Sequence, residues 1–175
     1  MYFANFPLIP YDSIGNGEFK VVTNLLRRVA IRSKVRTNTM IFDTYDVKEG
    51  ETPEMLADKL YGSSEYHWII LYCNNVTDRY HQWPKNQNQF LAYINDKYSD
   101  VDATHHYEIS QESGNTKKKI DIGTDNTDYP TATAITNYEY EQEVQDNKRK
   151  IRLLDPSYIS DFVEEFKMLM KETNI

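Results

Sequence analysis

Few side chains in this sequence have the type and spacing that catalysis or metal binding requires. The four histidines are His67, His81, His105 and His106. Neighbouring side chains in a strand point to opposite faces, so we expect that His105 and His106 do not hold one metal ion together. His67 is followed by no histidine or carboxylate three or four residues later, which is the spacing of metal ligands on a helix. The sequence therefore predicts no metal site, and no motif indicates a cofactor.

Nucleophilic and acid–base catalysis are no better supported. Cys73 is the only cysteine, which excludes an internal disulfide and a cysteine-based zinc site. No local motif places a base beside it, so we expect it to be packed in a helix. Glu49, Glu51 and Glu54 could be imagined as a hydrolase acid pair, but carboxylates are common at turns and helix starts. We therefore expect no catalytic activity.

The charge of the chain is unevenly distributed. The 175 residues carry a net charge of −7. Residues 1–40 hold six basic and two acidic side chains, net +4, and the rest hold 14 basic and 25 acidic side chains, net −11. A basic segment on an acidic body favours docking to a protein partner by complementary charge. Nucleic-acid binding is not expected, because the body would repel phosphate. A solvated basic helix face is the alternative.

The composition also bears on location. No apolar stretch reaches the length that crosses a membrane, and the N-terminus lacks a signal-peptide pattern. We therefore expect a protein that is made and kept in a cytoplasm, without membrane contact. The chain holds 14 tyrosines, which suit either a protein interface or the edge of a core.

Residues 45–75 carry the clearest local signals for structure. Residues 44–47 alternate polar and apolar side chains, as a half-buried strand does. Gly50 marks a turn, because glycine tolerates positive φ. Thr52 can cap a helix, and Pro53 fits the first helical position, where its missing N–H costs nothing. These residues predict a strand, a tight turn and a helix.

A second helix is predicted directly after the first. Gly62 is a natural helix stop, and the following segment buries Trp68 on one side before it ends at Asn74 and Asn75. We expect Trp68 in the core, with a solvent-exposed stacking surface as the alternative. The apolar stripe predicted for the first helix consists of Met55, Leu56 and Leu60.

The chain resembles the LysM family of binding modules in the run Val47-Lys48-Glu49-Gly50-Glu51-Thr52-Pro53. The spacing from this run to Leu60-Tyr61-Gly62, Trp68 and Asn74-Asn75 is also similar to that of the family. Over nearly its whole length, the chain resembles the LysM-containing baseplate wedge proteins of T-even-type contractile-tail bacteriophages. The further segments that carry this resemblance are Phe6-Pro7 with Tyr11, the arginine-rich run, residues 80–83, and Tyr138-Glu139-Tyr140-Glu141 to Lys148-Arg149-Lys150-Ile151.

The resemblance implies an α+β fold, in which a small LysM-like β-α-α module carries helical and hairpin extensions. It implies a structural subunit of the tail baseplate of a virion, assembled in the host cytoplasm. Such a subunit bridges neighbouring wedges, and its partners are other baseplate wedge proteins in a multi-subunit hexameric assembly.

The LysM resemblance also leaves a carbohydrate-binding module for peptidoglycan N-acetyl sugars, or an accessory to a cell-wall hydrolase, as alternatives. In the glycan-binding members the groove lies between the first turn and the loop after the second helix. The matching residues here are Gly50, Glu51, Thr52, Asn74 and Asn75. Those modules close with a second strand that carries a Gly-Gln-x-Leu-like segment, and none follows Asn75. We therefore expect little or no glycan binding.

The N-terminal residues 1–40 are predicted to dock on partner subunits. The first 17 residues are apolar but broken by Pro7, Pro10 and Gly15, so they cannot form a regular helix. They could equally fold back onto their own body. Residues 18–31 show apolar side chains at helical spacing, which predicts a helix. The expected partner-binding side chains are Phe3, Phe6, Leu8, Tyr11, Arg27, Arg28, Arg32 and Arg36.

The rest of the chain is predicted as three segments. The LysM-like module occupies 41–84, preceded by an extended stretch over 34–42. Residues 85–135 contain a helix to Tyr98, a β-hairpin over 101–124 with an edge strand marked by lysines, and a polar loop. Residues 136–175 contain a helix that starts with a capping box at Thr136, a short strand near 151–154, and a last amphipathic helix. That helix needs either the protein's own core or a neighbouring subunit to cover it.

Overall fold

A computed structural model describes residues 2–31, 40–111 and 118–171 of the chain. It confirms an α+β fold. The helices are α1 (Pro53–Tyr61), α2 (His67–Cys73), α3 (Arg79–Gln82), α4 (Gln87–Lys97), α5 (Asn137–Arg149) and α6 (Ile159–Lys171). The strands are β1 (Leu8–Tyr11), β2 (Lys20–Thr23), β3 (Phe42–Asp46), β4 (Thr104–Ser110), β5 (Lys119–Asp121), β6 (Thr133–Thr136) and β7 (Lys150–Leu154). Within the described ranges, no helix combines the length and the apolar character that a membrane span needs.

The chain divides into two compact units. Unit 1 comprises Met1–Asp46, Glu51–Arg79 and Ile151–Ile175, and unit 2 comprises Val47–Gly50 and Tyr80–Lys150. The segments 1–40, 41–84, 85–135 and 136–175 of the sequence analysis are therefore distributed over two units. Most of the stretch predicted to be extended, 34–42, falls on residues 32–39, which lie outside the described chain.

The N-terminal segment forms an antiparallel hairpin where a helix was predicted. β1 pairs with β2 so that Ile9 lies opposite Val22. The prediction of a helix over 18–31 is wrong. Val21, Val22 and Thr23 are consecutive β-branched residues, which lose side-chain freedom in a helix and fit a paired strand. That local preference outweighs the helical spacing of the apolar residues.

The predicted order of strand, helix and helix in residues 45–75 is confirmed. The Thr52 Oγ1 caps α1 by accepting a hydrogen bond of 3.3 Å from the Met55 N–H, and Pro53 is its first residue. Gly62 ends the helix in the left-handed region, at φ +71°. A 3₁₀ turn over Ser64–Tyr66 then leads into α2.

The strand that pairs with β3 is β7, which comes much later in the sequence. Asn74, directly after α2, is tied to this strand. Its Nδ2 donates to the Arg152 carbonyl at 2.7 Å, and its Oδ1 accepts from the Arg152 N–H at 2.8 Å. β3 is therefore paired with residues 150–154 and not with a strand directly after Asn75.

Unit 1 has a hydrophobic core built around Trp68. This side chain is 7% exposed, and its ring lies 4.8 Å from that of Phe166 on α6, so the core assignment is confirmed. The apolar stripe of α6 thus packs on the protein's own core. Met55, predicted to belong to the stripe of α1, is exposed, and Ala57 is buried instead. The buried cluster consists of Phe6, Phe42, Trp68, Ile69, Cys73, Leu154, Ile159, Phe166 and Met170.

Unit 2 contains a three-stranded sheet in the order β5-β4-β6. The predicted hairpin of β4 and β5 and the edge position of β5 are confirmed, whereas β6 lies partly in the predicted polar loop. The capping box at Thr136 starts α5 as predicted. The buried Glu141 carboxylate on α5 accepts hydrogen bonds from Lys97 Nζ at 2.6 Å and from the Tyr98 hydroxyl at 2.9 Å.

The two adjacent histidines contact each other, which corrects the prediction that they point to opposite faces. The pairing register shifts between Thr104 and His106, and such a bulge interrupts the alternation of side chains. The Nδ1 atoms of His105 and His106 lie 2.9 Å apart, and the His105 ring stacks on Tyr140. Among the residues described, no group of three or more His, Cys, Asp or Glu side chains could hold a metal ion.

Candidate docking surface

The β1–β2 hairpin exposes apolar side chains to solvent. Leu8 is 65% exposed, Phe19 67% and Val21 72%, and we refer to these three residues as the hairpin surface. A sheet of only two strands is marginally stable in water when nothing covers it. Large contiguous apolar patches on a protein surface are characteristic of interaction sites, so this surface is a candidate for one. Other exposed apolar side chains of the same segment are Ile14, Leu25 and Leu26.

The loop between β1 and β2 is fixed by Asp12. Its carboxylate accepts hydrogen bonds from the main-chain N–H groups of Ile14, Gly15, Asn16 and Gly17, over distances of 2.6 to 3.3 Å. These hydrogen bonds, and foremost the one from Gly17, lower the pKa of Asp12, so the carboxylate is charged at neutral pH. The hairpin surface is therefore held by an ordered loop.

A groove of about 740 Å³ lies beside α2 in unit 1. Phe3, Tyr72, Arg28 and Glu54 contribute to its walls. The Oε2 atom of Glu54 and the hydroxyl of Tyr72 are buried without a hydrogen-bond partner among the described residues. Burial raises the pKa of Tyr72 to about 12, so its hydroxyl is protonated and can donate. Both residues line the groove, but these two polar atoms are buried beneath its surface.

The aromatic and aliphatic side chains predicted for partner docking fall into two groups. Phe3, Leu8 and Tyr11 are exposed. Phe6 is 8% exposed and belongs to the core of unit 1. The 3₁₀ turn over Tyr2–Asn5 turns the chain back, and the Tyr2 ring packs 5.0 Å from Phe6. Phe6 therefore packs in the protein's own core and is not part of the exposed surface.

The arginines predicted for the same surface are spread along the segment. Arg27 is partly buried, and Arg28 is exposed and lies on the wall of the groove. The Arg28 Nη2 donates to the Asn75 Oδ1 at 3.4 Å. Arg32 and Arg36 lie outside the described residues.

Three of the five side chains predicted for a LysM-type groove are already engaged within unit 1. Glu51 accepts from the Tyr45 hydroxyl at 2.9 Å and from Lys59 Nζ at 3.4 Å. Thr52 caps α1, and Asn74 binds the main chain of β7 with both ends of its amide. The polar atoms of these three side chains are therefore engaged in hydrogen bonds that stabilise unit 1.

The other two residues of that predicted groove are Gly50 and Asn75. Gly50 takes a positive φ of 74° in its turn, and a Cβ built there would meet nothing within 4 Å. Asn75 has a φ of 57° and lines the groove beside α2. Of the five residues, all of them described, Asn75 is the one that reaches this groove.

The surroundings of Cys73 and Glu49, which were considered for catalysis, do not favour a catalytic role. Burial raises the pKa of the Cys73 thiol to about 12, so at neutral pH it is protonated and not a nucleophile. Glu49 accepts from the Gln87 N–H at 2.6 Å and from Arg149 Nη2 at 3.0 Å. These hydrogen bonds, the Gln87 bond first, lower its pKa, whereas a general acid needs a raised one.

Phe19 and Val21 were not predicted to be surface residues. The helical spacing of residues 18–31 placed Phe19 on the apolar side of a helix, together with Val22, and gave Val21 no role. The signal that could have found them is the run Val21-Val22-Thr23, which follows the turn residues Gly15-Asn16-Gly17 at the distance expected of a hairpin.

Comparison with known proteins connects these features to one family. The family described as "Base plate wedge protein 53" matches residues 1–130, a range that includes the hairpin and the whole lining of the groove. The protein named "Baseplate wedge protein gp53" of Enterobacteria phage T4 is 24% identical over 184 residues, which cover 97% of this chain and 88% of that protein.

Proposed function

The chain belongs to the base plate wedge protein 53 family, and from that premise we propose that it is a structural subunit of the tail baseplate that bridges neighbouring wedge subunits during assembly. Its partners are other wedge proteins in a hexameric assembly, and the assembled subunit lies in the tail baseplate of the virion. The observation that carries the proposal is the exposure of the hairpin surface, Leu8, Phe19 and Val21.

The energy available at the hairpin surface is large enough for docking. Burying each of its three side chains on a partner contributes about 1.5–3 kcal/mol before ordering costs are subtracted. The hydrogen bonds of Asp12 reduce part of those costs, because they hold the loop between the two strands. The exposed Arg28 nearby in the sequence affects the association rate and the register of docking more than the affinity.

Bridging requires a second binding surface on the same subunit. The groove beside α2 fits that role, since the Phe3 and Tyr72 rings give its walls apolar area. Covering these rings with apolar side chains of a partner contributes about 25 cal/mol for each Å² of apolar surface removed from water.

The proposed role includes no catalytic step and no sugar ligand. The family description is that of a structural protein. The carbohydrate-binding alternative draws no support from Glu51, Thr52 and Asn74, whose side chains are engaged in hydrogen bonds of the fold.

Reconstitution with the other wedge proteins tests the proposal. The triple variant Leu8→Ser, Phe19→Ser and Val21→Ser keeps the strand pairing but removes the apolar side chains. We expect the fraction that sediments with the wedge proteins to fall about tenfold or more, because the apolar contacts are lost. The matched control is Met55→Ser with Met168→Ser, two exposed apolar residues outside the hairpin, and it should sediment like the wild type. Wild-type incorporation of the triple variant would overturn the proposal.

A further inference from the structure

The pairing register of the hairpin determines which main-chain groups point outward. The Asn24 N–H donates to the Pro7 carbonyl at 2.8 Å, so Pro7 and Asn24 form a hydrogen-bonded pair. In an antiparallel ladder such pairs alternate with non-hydrogen-bonded pairs, which makes Ile9 and Val22 the next hydrogen-bonded pair. Val22 therefore bonds to β1, whereas the N–H and C=O groups of Val21 and Thr23 point away from it. The outer edge of β2 offers two donors and two acceptors to a further strand.

The two outer edges of the hairpin differ in how they are protected. Pro10 lies opposite Val21, so its missing N–H falls on the outer edge of β1 and removes a donor there. β2 has no proline, and the outward Val21 and Thr23 are uncharged. In the part of the chain that the structure describes, no strand pairs with this edge.

We propose that a partner chain adds an extended segment as a third strand along the outer edge of β2. This inference rests on the proposed function, because the partner is another baseplate wedge subunit. The main chain of the added strand bonds to Val21 and Thr23, and its alternate side chains are apolar and lie beside the exposed Val21 side chain on the same face of the sheet.

The positive charge of residues 1–40 disfavours a second copy of this chain as the partner. Residues 1–40 carry a net charge of +4. Pairing β2 with β2 of another copy would bring two basic segments together, and Lys20 lies within each strand. The strand that fits is apolar and flanked by acidic side chains, since opposite charges across an interface favour the correct encounter.

Two substitutions of Val21 distinguish the contribution of its main-chain N–H to binding from that of its side chain. Val21→Pro removes the outward N–H but retains three side-chain carbons, whereas Val21→Ala keeps the N–H and loses more apolar surface. We expect Val21→Pro to reduce co-sedimentation with the other wedge proteins about tenfold and Val21→Ala to reduce it less than about threefold. Equal behaviour of the two variants would overturn strand addition.

Hydrogen exchange on the wild-type chain supplies a second test that does not depend on a variant folding. In the free chain the Val21 and Thr23 amides should exchange rapidly, and in the reconstituted wedge both should be protected. Rapid exchange of both in the wedge would overturn strand addition while the proposed function stands, provided the chain is incorporated. Concentration-dependent protection in the free chain would show a second copy on this edge and overturn the choice of partner. Failure of the wild type to enter the wedge at all would instead refute the proposed function.

Discussion

Asn74 and Arg152 are 78 residues apart in the sequence and are joined by two hydrogen bonds, from the Asn74 Nδ2 to the Arg152 carbonyl and from the Arg152 N–H to the Asn74 Oδ1. This contact ties the end of α2 to β7. The residue that the LysM resemblance placed at a ligand groove therefore closes the fold of unit 1.

Removing that side chain should destabilise the protein. Asn74→Ala loses both bonds to β7 and a third to the Ile70 carbonyl, and leaves main-chain groups of Arg152 unsatisfied. We expect the free energy of unfolding to fall by about 1–3 kcal/mol. Urea denaturation measures the change. Asn75→Gly is the control, because glycine accepts the φ of 57° at that position. An unchanged urea midpoint for Asn74→Ala would contradict the closing role.

Trp68 should be the costliest single truncation in unit 1. Its ring packs against Phe166, Phe162 and Tyr72, at centroid distances of 4.8, 6.1 and 6.3 Å. Trp68→Ala is expected to lower the free energy of unfolding by about 3–5 kcal/mol, through lost burial and the cavity that remains. Thermal melting measures this, with Leu26→Ala at a 95% exposed position as the control. A variant that melts at the wild-type temperature would show that Trp68 is not a core residue.

Alkaline pH should destabilise unit 1. Burial raises the pKa of Cys73 from its usual 9.0 to about 12, and that of Tyr72 from 10.0 to about 12. The unfolded chain therefore loses these protons first, so the stabilisation is complete below about pH 9 and declines as the pH rises towards 12. Urea midpoints measured from pH 7 upward should fall above pH 9. Burial also raises the pKa of Tyr2 and Tyr61 in unit 1. Cys73→Ala removes one of these groups and should show a smaller decline, whereas an equal decline would show that Cys73 does not contribute.

Oligomers of N-acetyl sugars should bind weakly or not at all. Glu51 and Asn74 are occupied by Tyr45 and Arg152, so a sugar would have to break hydrogen bonds of the fold to reach them. Isothermal titration calorimetry should detect no heat of binding at micromolar concentrations. Micromolar affinity that disappears on substitution of Gly50 or Asn75 would support the carbohydrate-binding alternative.

Local signals allowed much of the fold to be predicted. Thr52, Pro53 and Gly62 set both ends of α1 through contacts within a few residues of each other. The capping box of Thr136 with Glu139 did the same for α5. Such signals act within one turn of helix, so they can be read without knowledge of the rest of the chain.

Features that depend on distant pairing were missed. Nothing near Asn75 shows that β3 pairs with residues 150–154, because that pairing depends on the whole fold. In residues 18–31 two patterns competed, and the β-branched run Val21-Val22-Thr23 prevailed over helical spacing because it could pair with β1. The bulge at His106 shifted the register and brought two histidines together, which strict alternation of side chains excludes.

Limited proteolysis tests most directly whether the N-terminal hairpin is a docking element. Trypsin can cut after Lys20, Arg27 and Arg28, in or next to a hairpin of only two strands. We predict that these sites are cut first in the isolated protein, since the hairpin is marginally stable on its own. In the reconstituted wedge the same sites should be protected, because the hairpin surface is covered by a partner. Equal protection of these sites in the isolated protein and in the wedge would show that the hairpin belongs to the protein's own stable fold and would contradict its role in docking.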